Sequence, residues 1–152
     1  MAGVYASVSS GLVSITGGSP QTVLQLIAPT NQRLRVTQYE IMFDGVNSAN
    51  TPASVQIMRQ TAGTFSTSVT PKKRSESSAT GETLQATAKT GQTVAATAGD
   101  ILHDWFAPVF GGFVIVPLPP GQEDMVQGGT ILGVLVNPAQ TVDVKVTILY
   151  EE

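Results

Sequence analysis

Cysteine is absent from this chain, so neither a disulfide nor a thiolate–metal centre holds it together. Histidine occurs once, which is too few for the usual zinc cluster, and no Gly-x-Ser-x-Gly turn is present to expose a nucleophile. Charge is scarce as well: eight basic and eleven acidic side chains make up 12% of the 152 residues and leave a net −3. Such a chain is poorly suited to the broad phosphate contact that nucleic acid requires, and no nucleic-acid partner is expected. No apolar run is long enough to cross a bilayer, and residues 1–16 lack the basic start and apolar core of a secretion signal, so no membrane partner is expected either. No internal repeat points to a solenoid or propeller.

What is present is β-pattern. Over residues 142–150, Val142, Val144, Val146, Ile148 and Tyr150 share one parity while Asp143, Lys145 and Thr147 take the other, the period of a strand that buries one face. β-branched residues lose rotamer freedom against a helical turn, so the run is read as strand. Residues 130–136 form a second β-run, separated from it by the turn at Asn137-Pro138-Ala139-Gln140. Residues 22–28 are apolar on both parities, as in a covered strand, and 53–60 resume the pattern through Val55 and Ile57. Residues 33–43 begin with Leu34 and Val36 on one parity and continue with Tyr39, Ile41 and Phe43 on the other, so an extra residue near Thr37-Gln38 is expected as a β-bulge. A polar loop is expected at 47–52.

From 61 to 99 Thr, Ser and Ala dominate, and the expectation is a long loop interrupted by weak strands at 64–69, 82–86 and 92–96. Residues 100–108 read as one helical turn or as a strand joined to a loop. Short strands are expected at 113–116 and 123–126, the first ended by Pro117-Leu118-Pro119-Pro120-Gly121. About eight uneven strands pack most economically as two sheets. The expected class is therefore all-β, an antiparallel β-sandwich of jelly-roll type, with an immunoglobulin-like sandwich as the other topology. Residues 1–16 form an extended N-terminal arm or a first strand, broken by Gly17-Gly18 from a single domain over 17–152.

Chemistry-bearing residues are few. His103 and Asp104 are adjacent, and neighbours on a strand point to opposite faces, which disfavours a dyad. Asp100, Asp104, Glu123 and Asp124 have no EF-hand spacing, and the pairs Gly111-Gly112 and Gly128-Gly129 complete no nucleotide-binding signature. The expectation is a protein without catalytic activity, cofactor or metal. Lys72, Lys73 and Arg74 form the one basic cluster, either a solvated loop or a contact for an acidic protein surface. Trp105, Phe106, Phe110 and Phe113 concentrate apolar area in a short span, as core at one end of the sandwich or as a subunit interface. Carbohydrate stacking on Trp105 is the remaining reading.

The segments Thr22-Val23-Leu24-Gln25-Leu26-Ile27-Ala28-Pro29-Thr30-Asn31-Gln32-Arg33-Leu34-Arg35-Val36, Glu40-Ile41-Met42-Phe43-Asp44-Gly45, Thr51-Pro52-Ala53-Ser54-Val55, Gly128-Gly129-Thr130-Ile131-Leu132-Gly133-Val134 and Ile148-Leu149-Tyr150-Glu151-Glu152 together resemble the small capsid decoration, or cement, proteins of tailed bacteriophages. The resemblance implies a jelly-roll subunit that forms a homotrimer on the exterior of the virion capsid and clamps adjacent copies of the major capsid protein. It also implies an N-terminal arm that reaches a neighbour, for which Val4, Tyr5 and Val8 are the contact candidates. A phage or host-surface carbohydrate-binding or adhesion module is the alternative.

Overall fold

The computed structural model describes residues 3–45, 51–74, 83–110 and 113–152. Thirteen strands follow one another through them: β1 (Tyr5–Ser9), β2 (Val13–Ile15), β3 (Gln21–Ile27), β4 (Leu34–Phe43), β5 (Ala53–Thr61), β6 (Thr64–Val69), β7 (Lys72–Lys73), β8 (Thr87–Val94), β9 (Thr97–Ala107), β10 (Phe113–Pro117), β11 (Asp124–Val126), β12 (Ile131–Asn137) and β13 (Val142–Glu151). They form two antiparallel sheets. One runs β10-β4-β13-β1-β7, with β11 also on β4 and β2 also on β13; the other runs β6-β8-β3-β12-β5-β9. The protein is thus an antiparallel two-sheet β-sandwich. The sequence-distant neighbours β3-β12-β5-β9 in one sheet and the pairing of β4 with β10 and β11 in the other are consistent with a jelly roll.

Alternation decides which face each strand buries. Val142, Val144, Val146, Ile148 and Tyr150 of β13 enter the core, where they meet Val36, Tyr39, Ile41 and Phe43 of β4 and Ala6 and Val8 of β1. Leu24, Leu26, Ile57, Leu132 and Val134 face them from the six-stranded sheet. The change of parity within β4 is a bulge: Gln38 opposes Leu149 and Val36 opposes Tyr150, which leaves Thr37 without an opposite residue. Thr37 compensates locally. Its hydroxyl donates to the Leu149 carbonyl at 3.2 Å, and its own carbonyl accepts the Leu118 amide at 2.8 Å.

The stretch 61–99 departs from expectation. Its described residues are mostly strand rather than loop: β6 lies where 64–69 was expected, but β8 occupies Thr87–Val94, residues 83–86 are not strand, and β9 has begun by Thr97. The inward residues here are Ala86, Ala88 and Thr90, which keep the two-residue period with almost no hydrophobic bulk. Residues 100–107 continue β9 and Pro108 leaves it, so this stretch is a strand joined to a loop, without a helical turn. The loop expected at 47–52 falls largely outside the described residues, as do Gly111, Gly112 and the start of the segment expected at 82–86.

Residues 4–9 are built into their own sandwich. Val4 and Glu152 exchange two backbone hydrogen bonds of 2.9 and 3.0 Å, Val8 lies opposite Ile148, and the Ser10 amide donates to the Val146 carbonyl at 2.8 Å. Val4, Val8 and Ile15 are buried within the chain. Their transfer from water contributes roughly 5–9 kcal/mol, comparable to the entire net stability of about 5–15 kcal/mol for a domain.

A polar strut crosses the six-stranded sheet. Gln25 on β3 donates through Nε2 to Oε1 of Gln60 on β5 at 2.8 Å, and Gln60 Nε2 donates to Thr22 Oγ1 at 2.7 Å. The strand between them, β12, places Gly133 opposite both Gln25 and Met58, and a Cβ on Gly133 would run into the Gln60 carboxamide. Glycine is therefore what lets a side chain from β5 pass over β12.

Two outcomes follow for stability. Deleting residues 1–15 should abolish the cooperative melt, because it strips β13 of two partners; a truncated chain with the full-length melting profile would show that β1 and β2 are dispensable. Gly133→Ala should cost about 1–3 kcal/mol in denaturant unfolding, because Gln60 would swing aside and leave buried amide groups unpaired. An unchanged midpoint would mean that the strut contributes nothing to stability.

Candidate functional site

On β9 and its exit, alternation separates the aromatic residues. Ala107 and Val109 are buried, whereas Phe106, Pro108 and Phe110 are exposed, Phe106 at 76% and Phe110 at 69%. Trp105 turns the other way and packs against the core. Its Nε1 is buried without a hydrogen-bond partner among the described residues. Trp105 thus serves the core, and Phe106 and Phe110 are free for a surface role; the Phe113 side chain lies outside what is described.

Behind Trp105 is a polar cluster that joins the sheets. The imidazole of His103 stands edge-on to both Trp105 (6.4 Å between centroids) and Tyr39 (5.9 Å). Asp124 Oδ2 accepts the Tyr39 hydroxyl at 2.7 Å and lies 2.7 Å from His103 Nε2. Arg59 Nη1 donates to the neighbouring Met125 carbonyl at 3.1 Å. The partner of His103 is therefore Asp124 on β11 rather than the adjacent Asp104, which is exposed on the far side of the strand. Local spacing carries no signal for this contact, because β11 pairs with β4 and meets β9 only where one sheet packs on the other. Burial, then the Asp124 carboxylate and its hydrogen bond, hold the Tyr39 phenol far above its ordinary value near 10, with Arg59 opposing. Burial, and secondarily Glu152, also raises Tyr150. The cluster is a clasp: among the described residues no group of three or more acidic or imidazole side chains is placed to hold a metal ion.

The basic cluster lies on the opposite edge. Lys72 and Lys73 form β7, paired with Ser7 and Ala6, and the Arg74 amide donates to the Tyr5 carbonyl at 2.7 Å. Lys72 and Arg74 are exposed and Lys73 is half-buried. Of the three N-terminal candidates only Tyr5 faces outward; Val4 and Val8 are core residues and offer no surface while the sandwich is closed. The structure does not bring the basic and aromatic groups together.

Sequence reasoning did not single out the outer face of the seven-stranded sheet. Ile115, Glu40, Thr147 and Ser9 lie in one row across β10, β4, β13 and β1, and Met42 and Lys145 lie in the next. Met42, Leu12 and Lys145 line a depression of about 210 Å³ together with Phe43 and Asp44. Ile115, Met42 and Leu12 are all exposed. A larger open depression of about 670 Å³, lined by Thr30, Gln32, Arg33, Gln127 and Glu152 among others, lies at one end of the sandwich. The Glu152 carboxylate there is engaged by Gln32 Nε2 (2.9 Å) and by the amides of Gln85 (2.7 Å) and Ala86 (3.2 Å), so it ties loops together. No family model, curated protein or solved structure matches the chain.

The buried tyrosines set an alkaline limit. A phenol that keeps its proton in the fold but loses it near pH 10 once unfolded gives stability that is intact below that pH and falls above it, by up to about 1.4 kcal/mol per pH unit for each group. Tyr39→Phe should flatten this alkaline decline relative to the parent in denaturant unfolding between pH 9 and 11. Equal slopes for the two proteins would contradict the role of Tyr39.

Proposed function

We propose that this protein is a non-catalytic capsid decoration protein: a homotrimer on the exterior of a tailed-phage head that holds adjacent major capsid proteins together. The observation that carries the proposal is a sandwich that exposes large apolar side chains in two places, Phe106 and Phe110 on β9 and its exit, and Leu12, Met42 and Ile115 on the seven-stranded sheet and its turns. A bridging subunit needs two such surfaces, one for its own copies and one for the shell. Large apolar side chains contribute most of the energy of a contact, and sparse charge lowers its desolvation cost. The segmental resemblance to phage decoration proteins supports the same reading.

The mechanism is mechanical. Each subunit contact is weak, but three on one rigid body raise the effective concentration at neighbouring sites, so the assembly dissociates far more slowly than its parts. Bridged seams raise the barrier to rupture, which is a gain in kinetic rather than equilibrium stability.

Purified protein should bind matching mature heads and raise the temperature or osmotic shock they survive. Absence of head binding together with specific glycan binding would replace this reading with an adhesion module. Paired Met42→Glu and Ile115→Glu substitutions, diagonal neighbours on one face, should weaken head binding roughly tenfold while the protein keeps its β spectrum and oligomer mass. Unchanged head binding would remove that face from the capsid contact.

A further inference from the structure

The edge strands on the two lateral sides of the sandwich, β9 and β7, expose side chains of opposite charge. One side is formed by β9, an edge of the six-stranded sheet, beside β10 and β11 at the edge of the other sheet, and the His103–Asp124 contact joins them. It exposes Asp100 and Asp104 together with Ile101 and Phe106. The opposite side is formed by the remaining edges, β6 and β7, joined through only Thr70 and Pro71. It exposes Lys72 and Arg74, and Lys89 lies opposite Ser68 on the adjoining β8. No acidic residue occurs in β6, β7 or β8, and no Lys or Arg occurs anywhere between Lys89 and Lys145.

We infer that these sides are the two halves of one head-to-tail contact between copies of this chain, the acidic β9 edge of one copy meeting the basic β6–β7 edge of the next. The inference rests on the self-association in the proposed function, not on the capsid, and it names the surfaces. Opposed charges favour this pairing, whereas two β9 edges would place Asp100 and Asp104 against their own equivalents. A contact between two different surfaces of one chain closes into a ring when its rotation allows. Ile101 and Phe106 supply apolar area on one half. The Ser and Thr side chains of β6 give the other half a surface that loses little on desolvation.

The test uses the full chain and light scattering over a range of concentrations and salt. The parent should self-associate, more weakly as salt screens the contact. Asp100→Lys with Asp104→Lys, and separately Lys72→Glu with Arg74→Glu, should each weaken association by roughly tenfold or more at low salt. A chain that carries all four substitutions should recover association, because each altered edge then meets its altered complement. Circular dichroism checks that every variant is folded. A parent trimer that is insensitive to salt and to both pairs overturns this contact but leaves the trimer standing. A folded four-fold variant that does not recover also overturns the contact. A parent that stays monomeric at every concentration overturns the contact and the trimer together.

Discussion

The burial and pairing of β13 is the constraint on which the rest of this sandwich depends. It pairs with β4 along one side and with β1 and β2 along the other, so without it the seven-stranded sheet separates into β10-β4-β11 and β1-β7 and leaves β2 unpaired. Its inward Val142, Val144, Val146, Ile148 and Tyr150 supply the middle of the core. The pairing of Val8 with Ile148 closes nearly the whole chain on itself. The entropy of closing such a loop grows only slowly with its length, which makes the arrangement affordable at equilibrium, but contacts of this range form slowly. Glu152 then fixes the end of the strand through its backbone exchange with Val4 and its carboxylate bonds to Gln32, Gln85 and Ala86.

Apolar packing alone would leave the two sheets free to slide, and the buried polar groups limit that freedom. The strut from Thr22 through Gln60 to Gln25 acts within one sheet and requires Gly133 beneath it. The Asp124 clasp acts between sheets, since Tyr39 and Asp124 belong to one and His103 to the other. A shift in either position would leave buried donors unpaired, at a cost of about 1–3 kcal/mol each. These groups therefore select one arrangement among several that would bury similar apolar area.

Much of this was legible where β-branched residues alternate. β3, β4, β5, β12 and β13 all announce themselves, and the parity change between Val36 and Tyr39 put a bulge near Thr37-Gln38, where Thr37 is the residue left unopposed. Legibility failed where the inward residues are small: Ala86, Ala88 and Thr90 keep the period of a strand without the hydrophobic contrast that reveals it. It failed again at residues 4–8, because Val4 and Val8 suit a core strand and an adhesive arm equally well until sheet order puts β13 beside them. The aromatic span was half legible. Alternation foretells that Trp105 and Phe106 part company, but not which of them turns inward. The His103–Asp124 contact was invisible, because the pairing of β11 with β4 and the packing of β9 beside it are set by topology and not by local pattern.

A sandwich that leaves its sheets open has four edges, and each is a template for unwanted pairing. Here they fall two to a side, β9 with β10 and β11 on one and β6 with β7 on the other. Placing acid on one side and base on the other protects each edge from its own kind by like-charge repulsion, yet leaves it open to its opposite. With charged residues at only 12% of the chain, a few well-placed side chains set the sign of an entire edge. Sparse charge and edge polarity then serve the same end: the faces stay cheap to desolvate against a large partner, while the edges retain enough charge to choose which edge they meet. In the proposed ring this division puts self-recognition at the rim of the sheets and leaves Ile115 and Met42, diagonal neighbours on the outer face of the seven-stranded sheet, available to a second partner.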